Sequence, residues 1–325
     1  MSYKILAINP GSTSTKIAVY EDEKEILSET LSHPKEELDK YSSVMDQFEM
    51  RKEHIINFLR GKGVNLKELS AVVGRGGHLP PVKSGAYKVN QLMSDRLRDK
   101  STMEHASNLG ALISFEIATL LGIPSYIYDP VAVDEMSEIA RISGHPEIKR
   151  LSYNHYLNTR AMAMKAAKKR NKKYDEMNII AAHLGGGISV NIHAKGRIVD
   201  VIGDEEGPFS PERTGGLPAT SLVNLCYSGK YGKDEMKRSL RGNGGLKAYL
   251  GTVDVREVER RIAGGDAYAK LIYEAMAYQV AKCIGSLAPV VEGKVDLIIL
   301  TGGIAHSKAF TSMIEKRVSF LAPVE

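Results

Sequence analysis

Asn9, Gly11, Ser12, Thr13, Ser14 and Lys16 crowd hydrogen-bond donors into a turn that interrupts a β-branched run, and donors at that density suit a polyphosphate. Glycine lets neighbouring backbone N–H groups converge on one anion. Two more strand-like runs break in the same manner, at His183 before Gly185, Gly186 and Gly187, and at Thr301 before Gly302 and Gly303. An ordinary hairpin turn is the other reading of the first segment, because the spaced glycines and Gly-Lys-Ser/Thr ending of a Walker A loop are absent. The shared placement of all three at strand ends carries more weight than any one of them.

Arg75 follows Val72, Val73 and Gly74, and Arg213 follows Pro211 and Glu212. Two guanidinium groups can bind a carboxylate and neutralise charge on a transferred phosphoryl group, and surface ion pairing is the alternative for each. Asp129 ends a short apolar run before Pro130, where a carboxylate either holds magnesium, directly or through water, or caps the next turn. His183 suits donation to a phosphoryl oxygen and His105 the positioning of a carboxylate substrate, with a structural hydrogen bond open for both. His33 and His54 have no comparable context and receive no role.

The elements that must carry these residues read as α/β. Strand-like segments at residues 4–9, 16–20 and 26–30 form a meander, and a second meander runs through residues 178–182, 188–193 and 197–202. Shorter strands are expected at 71–74, 125–128 and 297–300, with a strand-like tail at 317–324. Helical spacing of apolar residues covers 34–59 with a break, 105–121, 158–172 and 267–290. Gly144 and Pro146 punctuate a polar stretch, which places a domain boundary near residue 150.

With 325 residues and 43% hydrophobic composition the chain can bury two cores, which excludes a disordered or fibrous reading. The net charge of +5 is small and dispersed, so no nucleic-acid partner is expected; the lysine-rich stretch at 165–173 reads as a solvated helix face. No apolar run approaches the roughly 20 residues of a membrane helix and no secretory pattern opens the chain, so a cytoplasmic location without a membrane partner is expected. Cys226 and Cys283 lie far apart without zinc-ligand spacing and are expected to be reduced thiols.

Taken together, Asn9 to Lys16, Arg75-Gly76-Gly77, Glu104-His105-Ala106-Ser107-Asn108, the His183 turn, residues 208–216, Asn243-Gly244-Gly245-Leu246 and Thr301-Gly302-Gly303-Ile304-Ala305-His306 resemble the butyrate kinase branch of the acetate kinase family. The resemblance covers nearly the whole chain. It implies a two-domain actin-like ATPase (ribonuclease H-like) fold with duplicated mixed sheets, residues 1–150 on the acyl side and 151–325 on the nucleotide side. It also implies in-line phosphoryl exchange between ATP and a short-chain fatty acid, giving ADP and an acyl phosphate, with Mg2+ as cofactor and a homodimer or larger homo-oligomer as assembly. In that pattern Arg75, Asp129, His183 and Arg213 are catalytic, with Asp129 also the metal residue. Asn9, Gly11, Ser12, Thr13, Ser14, Lys16, Gly185, Gly186, Gly187, Gly302 and Gly303 bind nucleotide or phosphate.

Acyl specificity is placed by the same likeness at His105, Gly77, Ala182 and Pro211. Gly77 and Ala182 stand where acetate-specific relatives carry bulkier side chains, and the interval from Pro211 to Arg213 is shorter. Extra room is expected to admit further methylenes at about 0.8 kcal/mol each. Butyrate is the expected acid; branched-chain or other short-chain acids, or a nucleotide-sensing assembly role, are the alternatives. The family pattern continues past Glu325 into a glycine turn with a metal-associated glutamate and a closing helix, so the fold is expected to be C-terminally shortened and Glu325 is not given that role.

Overall fold

A computed structural model describes residues 2–99 and 105–325; Glu104 of the histidine motif lies outside them. The chain divides into two compact units, Met1–Asp134 and Glu135–Glu325. Composition puts the break at 150, but residues 135–150 are bonded into the second unit. There the Ser137 N–H donates to the Val199 carbonyl at 2.9 Å, and Arg150 reaches Asp200 at 3.0 Å and Glu206 at 2.8 Å.

In the first unit the elements run β1 (Lys4–Pro10), β2 (Ser14–Glu21), β3 (Lys24–Ser32), α1 (Lys35–Leu38), α2 (Phe48–Gly61), β4 (Ala71–Arg75), β5 (Ala86–Lys88), α3 (Gln91–Arg98), α4 (Ala106–Leu121) and β6 (Ser125–Tyr128). The sheet order is β3-β2-β1-β4-β6-β5. The β1–β2 register pairs Asn9 with Lys16, which leaves residues 11–13 as the turn. Leu6 and Ile8 of β1, Ile55 and Leu59 of α2, and Leu109 and Leu112 of α4 share one core, so the sheet edge bearing the turn is fixed by apolar burial.

The second unit runs α5 (Tyr156–Lys169), β7 (Ile179–Leu184), β8 (Ile188–Ala194), β9 (Arg197–Ile202), α6 (Ala219–Cys226), α7 (Lys233–Leu240), α8 (Gly245–Leu250), α9 (Val255–Ala263), α10 (Ala267–Leu287), β10 (Leu297–Thr301) and α11 (Lys308–Val318). Its sheet order is β10-β7-β8-β9. That repeats the first unit: an antiparallel meander whose first strand takes a parallel neighbour, β4 on β1 and β10 on β7. The duplication expected from the two meanders is present. β7 is buried on both faces, Ile180 and Leu184 toward Tyr273 and Met276 of α10, Ile179 and Ala181 toward Ala163 of α5.

The tail departs from expectation. Residues 317–324 read as a strand, yet α11 continues to Val318, and Val324 alone forms a parallel bridge with Ile298. Phe310, Ile314 and Val318 are buried at four-residue intervals, a helical period that β-branched content had obscured. Among the described residues no helix is long and apolar enough to cross a membrane.

Candidate active site

The first unit shapes its turn from behind. The Gly11 N–H closes on the Ser14 carbonyl at 2.7 Å, and Arg51 of α2, fully buried, gathers the outer carbonyls: Nη1 donates to Gly11 O at 2.8 Å and Ser14 O at 3.1 Å, Nη2 to Ser12 O at 2.9 Å. Gln47 fixes the guanidinium from the other side, its Oε1 accepting at 2.8 and 3.1 Å. Carbonyls drawn toward Arg51 keep that cation beside the turn, where it favours an anion. Burial lowers the Arg51 pKa from its usual 12.5. Ser12, Thr13 and Lys16 are exposed beside it.

Arg51 escaped sequence reading although its signal is visible. It occupies the apolar stripe of α2 with Phe48, Ile55 and Leu59, a position where a charged residue must have buried acceptors.

Arg75 ends β4 and donates from Nη1 to Asn9 Oδ1 at 3.3 Å, so the arginine and the first residue of the turn segment meet. Burial pulls its pKa below the usual 12.5. Asp129, just past β6, is buried with its backbone at φ 39°, a left-handed conformation that a non-glycine residue holds only under constraint. Its Oδ1 accepts from Ser84 Oγ at 2.7 Å and Gly85 N–H at 2.9 Å. One hydrogen-bonded carboxylate fits Mg2+ in the mode where phosphates and water supply most ligands. His105 caps α4: its Nδ1 accepts the Ser107 N–H at 3.1 Å, which places the proton of the neutral ring on Nε2 as a donor.

Gly77 does not widen a pocket. A Cβ there would lie 2.3 Å from Asn108 Oδ1 and 2.9 Å from Leu97 Cδ2, so the missing side chain permits a close approach to α4. Gly77→Ala is therefore expected to lower the thermal midpoint by several degrees, about 1–3 kcal/mol of overpacking, without changing the preferred acid chain length. A thermal melt and a chain-length series check it; a stable variant with shifted preference would restore the pocket-wall role.

In the second unit β7 delivers His183, whose ring lies on the α5 side while Ala182 points the other way. Ala182 is wholly buried in the α10 core with Ile180 and Leu184, so its small side chain is a packing choice and not a substrate wall. His183 Nδ1 meets Asn158 Oδ1 at 2.8 Å, and its ring stacks on His155 with centroids 3.8 Å apart. His155 Nδ1 in turn meets Ser189 Oγ at 2.8 Å. With Nδ1–H given to Asn158, Nε2 donates to a phosphoryl oxygen only as imidazolium. Sequence reading missed His155 and Asn158; their spacing around a helix start shows no motif until β7 is laid against α5.

Arg213 packs on the Gly187 backbone, where a Cβ would fall 2.5 Å from Nη1. Its Nη1 pairs with Asp204, which Arg241 also reaches at 3.2 Å. Its Nε–H is buried and has no hydrogen-bond partner among the described residues. A cavity of about 510 Å³ holds Arg213, Arg241 and Asp204 beside apolar Leu217, Leu222 and Leu240. Asp204 carries no motif and was invisible in sequence.

A larger cavity of about 800 Å³ joins Gly185 and Gly186 to Gly303, with Pro211, Arg256 and His306 in its walls. Gly302 precedes it in a backbone at φ 94°, turning β10 into the short helix at Gly303–His306. Arg256 is held by Asp254, Nε to Oδ1 at 2.9 Å and Nη2 to Oδ2 at 2.8 Å, which fixes its guanidinium plane. Pro211 lines the cavity of the glycine turns and not the one that holds Arg213.

Two mixed sheets that share a meander with a parallel neighbour on its first strand, each with donors at its strand ends, fit a two-domain actin-like phosphotransferase class. The chain belongs to the acetokinase family, whose sequence profile matches residues 150–321. It is 53% identical over 326 residues to butyrate kinase 2 of Clostridium acetobutylicum, covering 100% of this chain and 92% of that protein. Porphyromonas gingivalis acetate kinase superposes with a TM-score of 0.79 at 20% identity, over 98% of this chain and 88% of that one. A propionate kinase from Francisella tularensis subsp. tularensis superposes at 0.75 and 20%, over 98% and 88%. The two structural likenesses speak for the fold.

Proposed function

We propose that the protein reversibly phosphorylates a short-chain fatty acid, butyrate before others, with ATP. The observation that carries this is Arg213, clamped by Asp204 on the Gly187 backbone in the wall of the cavity of about 510 Å³, with Arg241 beside it. A dianionic phosphoryl group is the ligand that such paired guanidinium groups suit, and the 53% identity to a butyrate kinase supports the choice of acid.

The cavity at Gly185, Gly186 and Gly303 takes the nucleoside, with Arg256 as its flat wall. The turn at Gly11, Ser12, Thr13 and Ser14, with Lys16, takes phosphate oxygens. A carboxylate oxygen attacks the terminal phosphorus, the bond to the bridging oxygen breaks, and ADP departs with the electron pair. Arg213 offsets charge on the equatorial oxygens, His183 as imidazolium donates to one of them, and Arg75 is the arginine that the first unit offers to an anion. His105 donates from Nε2 to the acid. The acid is already ionised near neutral pH, so Asp129 serves to hold metal or water and not as a base. Magnesium, when bound, neutralises phosphate charge and aligns the terminal group. Assembly as a homodimer or larger homo-oligomer belongs to the same reading and is supported by the apolar helix α6, of which no residue is buried.

ATP-dependent hydroxamate formation from acetate, propionate, butyrate, isobutyrate and valerate tests it. The expected result is a kcat/KM maximum at butyrate with its neighbours within about tenfold, since one methylene discriminates weakly. An acetate optimum would overturn the choice of acid, and acid-independent ADP release would overturn the kinase reading.

A further inference from the structure

Behind the phosphate turn three side chains from separate elements meet: His33 just past β3, Glu37 in α1 and His54 in α2. One ligand atom from each lies within 4.8 Å of the others. His54 Nε2 is 3.5 Å from Glu37 Oε1, and the His33 and His54 rings stack with centroids 5.6 Å apart. His33 is 3% exposed. Its Nε2 is engaged by Thr15 Oγ1 at 2.9 Å, and its Nδ1 is buried with no hydrogen-bond partner among the described residues.

A buried ring nitrogen without a partner calls for explanation. If Nε2–H donates to Thr15, Nδ1 keeps its lone pair, the arrangement in which a metal-binding histidine gives its other N–H to a neighbouring acceptor. The Arg51 guanidinium, which reaches Thr15 Oγ1 beside the ring, opposes a cation, and the Glu37 carboxylate offsets that. Two imidazoles and one carboxylate suit zinc or cobalt, whereas magnesium prefers an all-oxygen shell. Ligands about a tetrahedral zinc stand roughly 3.3–3.5 Å apart, so the half-exposed Glu37 and His54 need to close by about 1 Å.

We propose that His33, Glu37 and His54 form a binding site for a first-row divalent transition-metal ion of the zinc class, bracing the turn at residues 11–13 and the start of β2 from behind. The connection to that turn is direct. The His33 N–H donates to Thr13 O at 2.8 Å, and Thr15 Oγ1, which touches the ring, also accepts from Arg51 Nη1 at 3.2 Å. Binding here is independent of which acid the protein phosphorylates.

The test uses the full chain, stripped with EDTA and desalted, then titrated with Co2+ and Zn2+. One equivalent of Co2+ is expected to give tetrahedral visible absorption, Zn2+ to displace it, and excess Mg2+ to leave it unchanged. One Zn2+ per chain should survive desalting and raise the thermal midpoint by about 4 °C or more. Glu37→Gln and His54→Ala, both at partly exposed positions and so expected to fold, should each weaken binding about 100-fold or more and abolish the thermal shift. Stoichiometric binding that is undiminished in both variants, displacement of Co2+ by Mg2+, or no binding to the folded wild-type chain would each overturn the site.

Discussion

Arg213→Lys is expected to lower kcat about 10²–10³-fold while KM for the acid changes little. Lysine keeps the charge, but it cannot hold Asp204 and still present a second planar N–H to the phosphoryl oxygens. In the proposed reaction the guanidinium meets the phosphoryl oxygens as charge spreads over them, so its loss is expected to fall on the transition state. Arg75→Lys tests the same logic in the first unit, where the guanidinium also anchors Asn9. Steady-state kinetics at saturating ATP decide it. A kcat within about threefold of wild type in both variants would remove the arginines from the chemistry.

Arg51→Met is expected to cost the first unit about 2–4 kcal/mol and to raise KM for ATP about tenfold. The side chain touches no proposed substrate atom, yet its removal strands the carbonyls of Gly11, Ser12 and Ser14 and the Gln47 amide. Methionine fills much of the volume, so the loss reports hydrogen bonds and not a void. Denaturant unfolding with a parallel ATP titration measures both effects. An unchanged midpoint together with an unchanged KM would mean that the turn holds its shape without the arginine.

Much of the candidate site could be nominated from sequence because its residues sit at strand ends, where alternation and glycine punctuate the chain. Asn9 to Lys16, the His183 turn and Gly302-Gly303 all fall where a sheet stops. The acyl wall was misread because a small residue has two causes that sequence does not separate. Gly77 and Ala182 are small where backbone and core come close, and only coordinates reveal the atoms opposite. Residues 317–318 were misassigned because β-branched residues fit a helix once its face is buried.

The sequence by itself determined the repeated meanders, the glycine turns and the arginines available to an anion, since these depend on local period and residue chemistry. Tertiary structure decided the rest. Arg51 behind its turn, His155 on His183, Asp204 against Arg213 and the His33–Glu37–His54 group all join residues distant along the chain or on different elements. Such pairs are set by which buried donors find acceptors when sheets and helices pack, and no spacing along the chain encodes that.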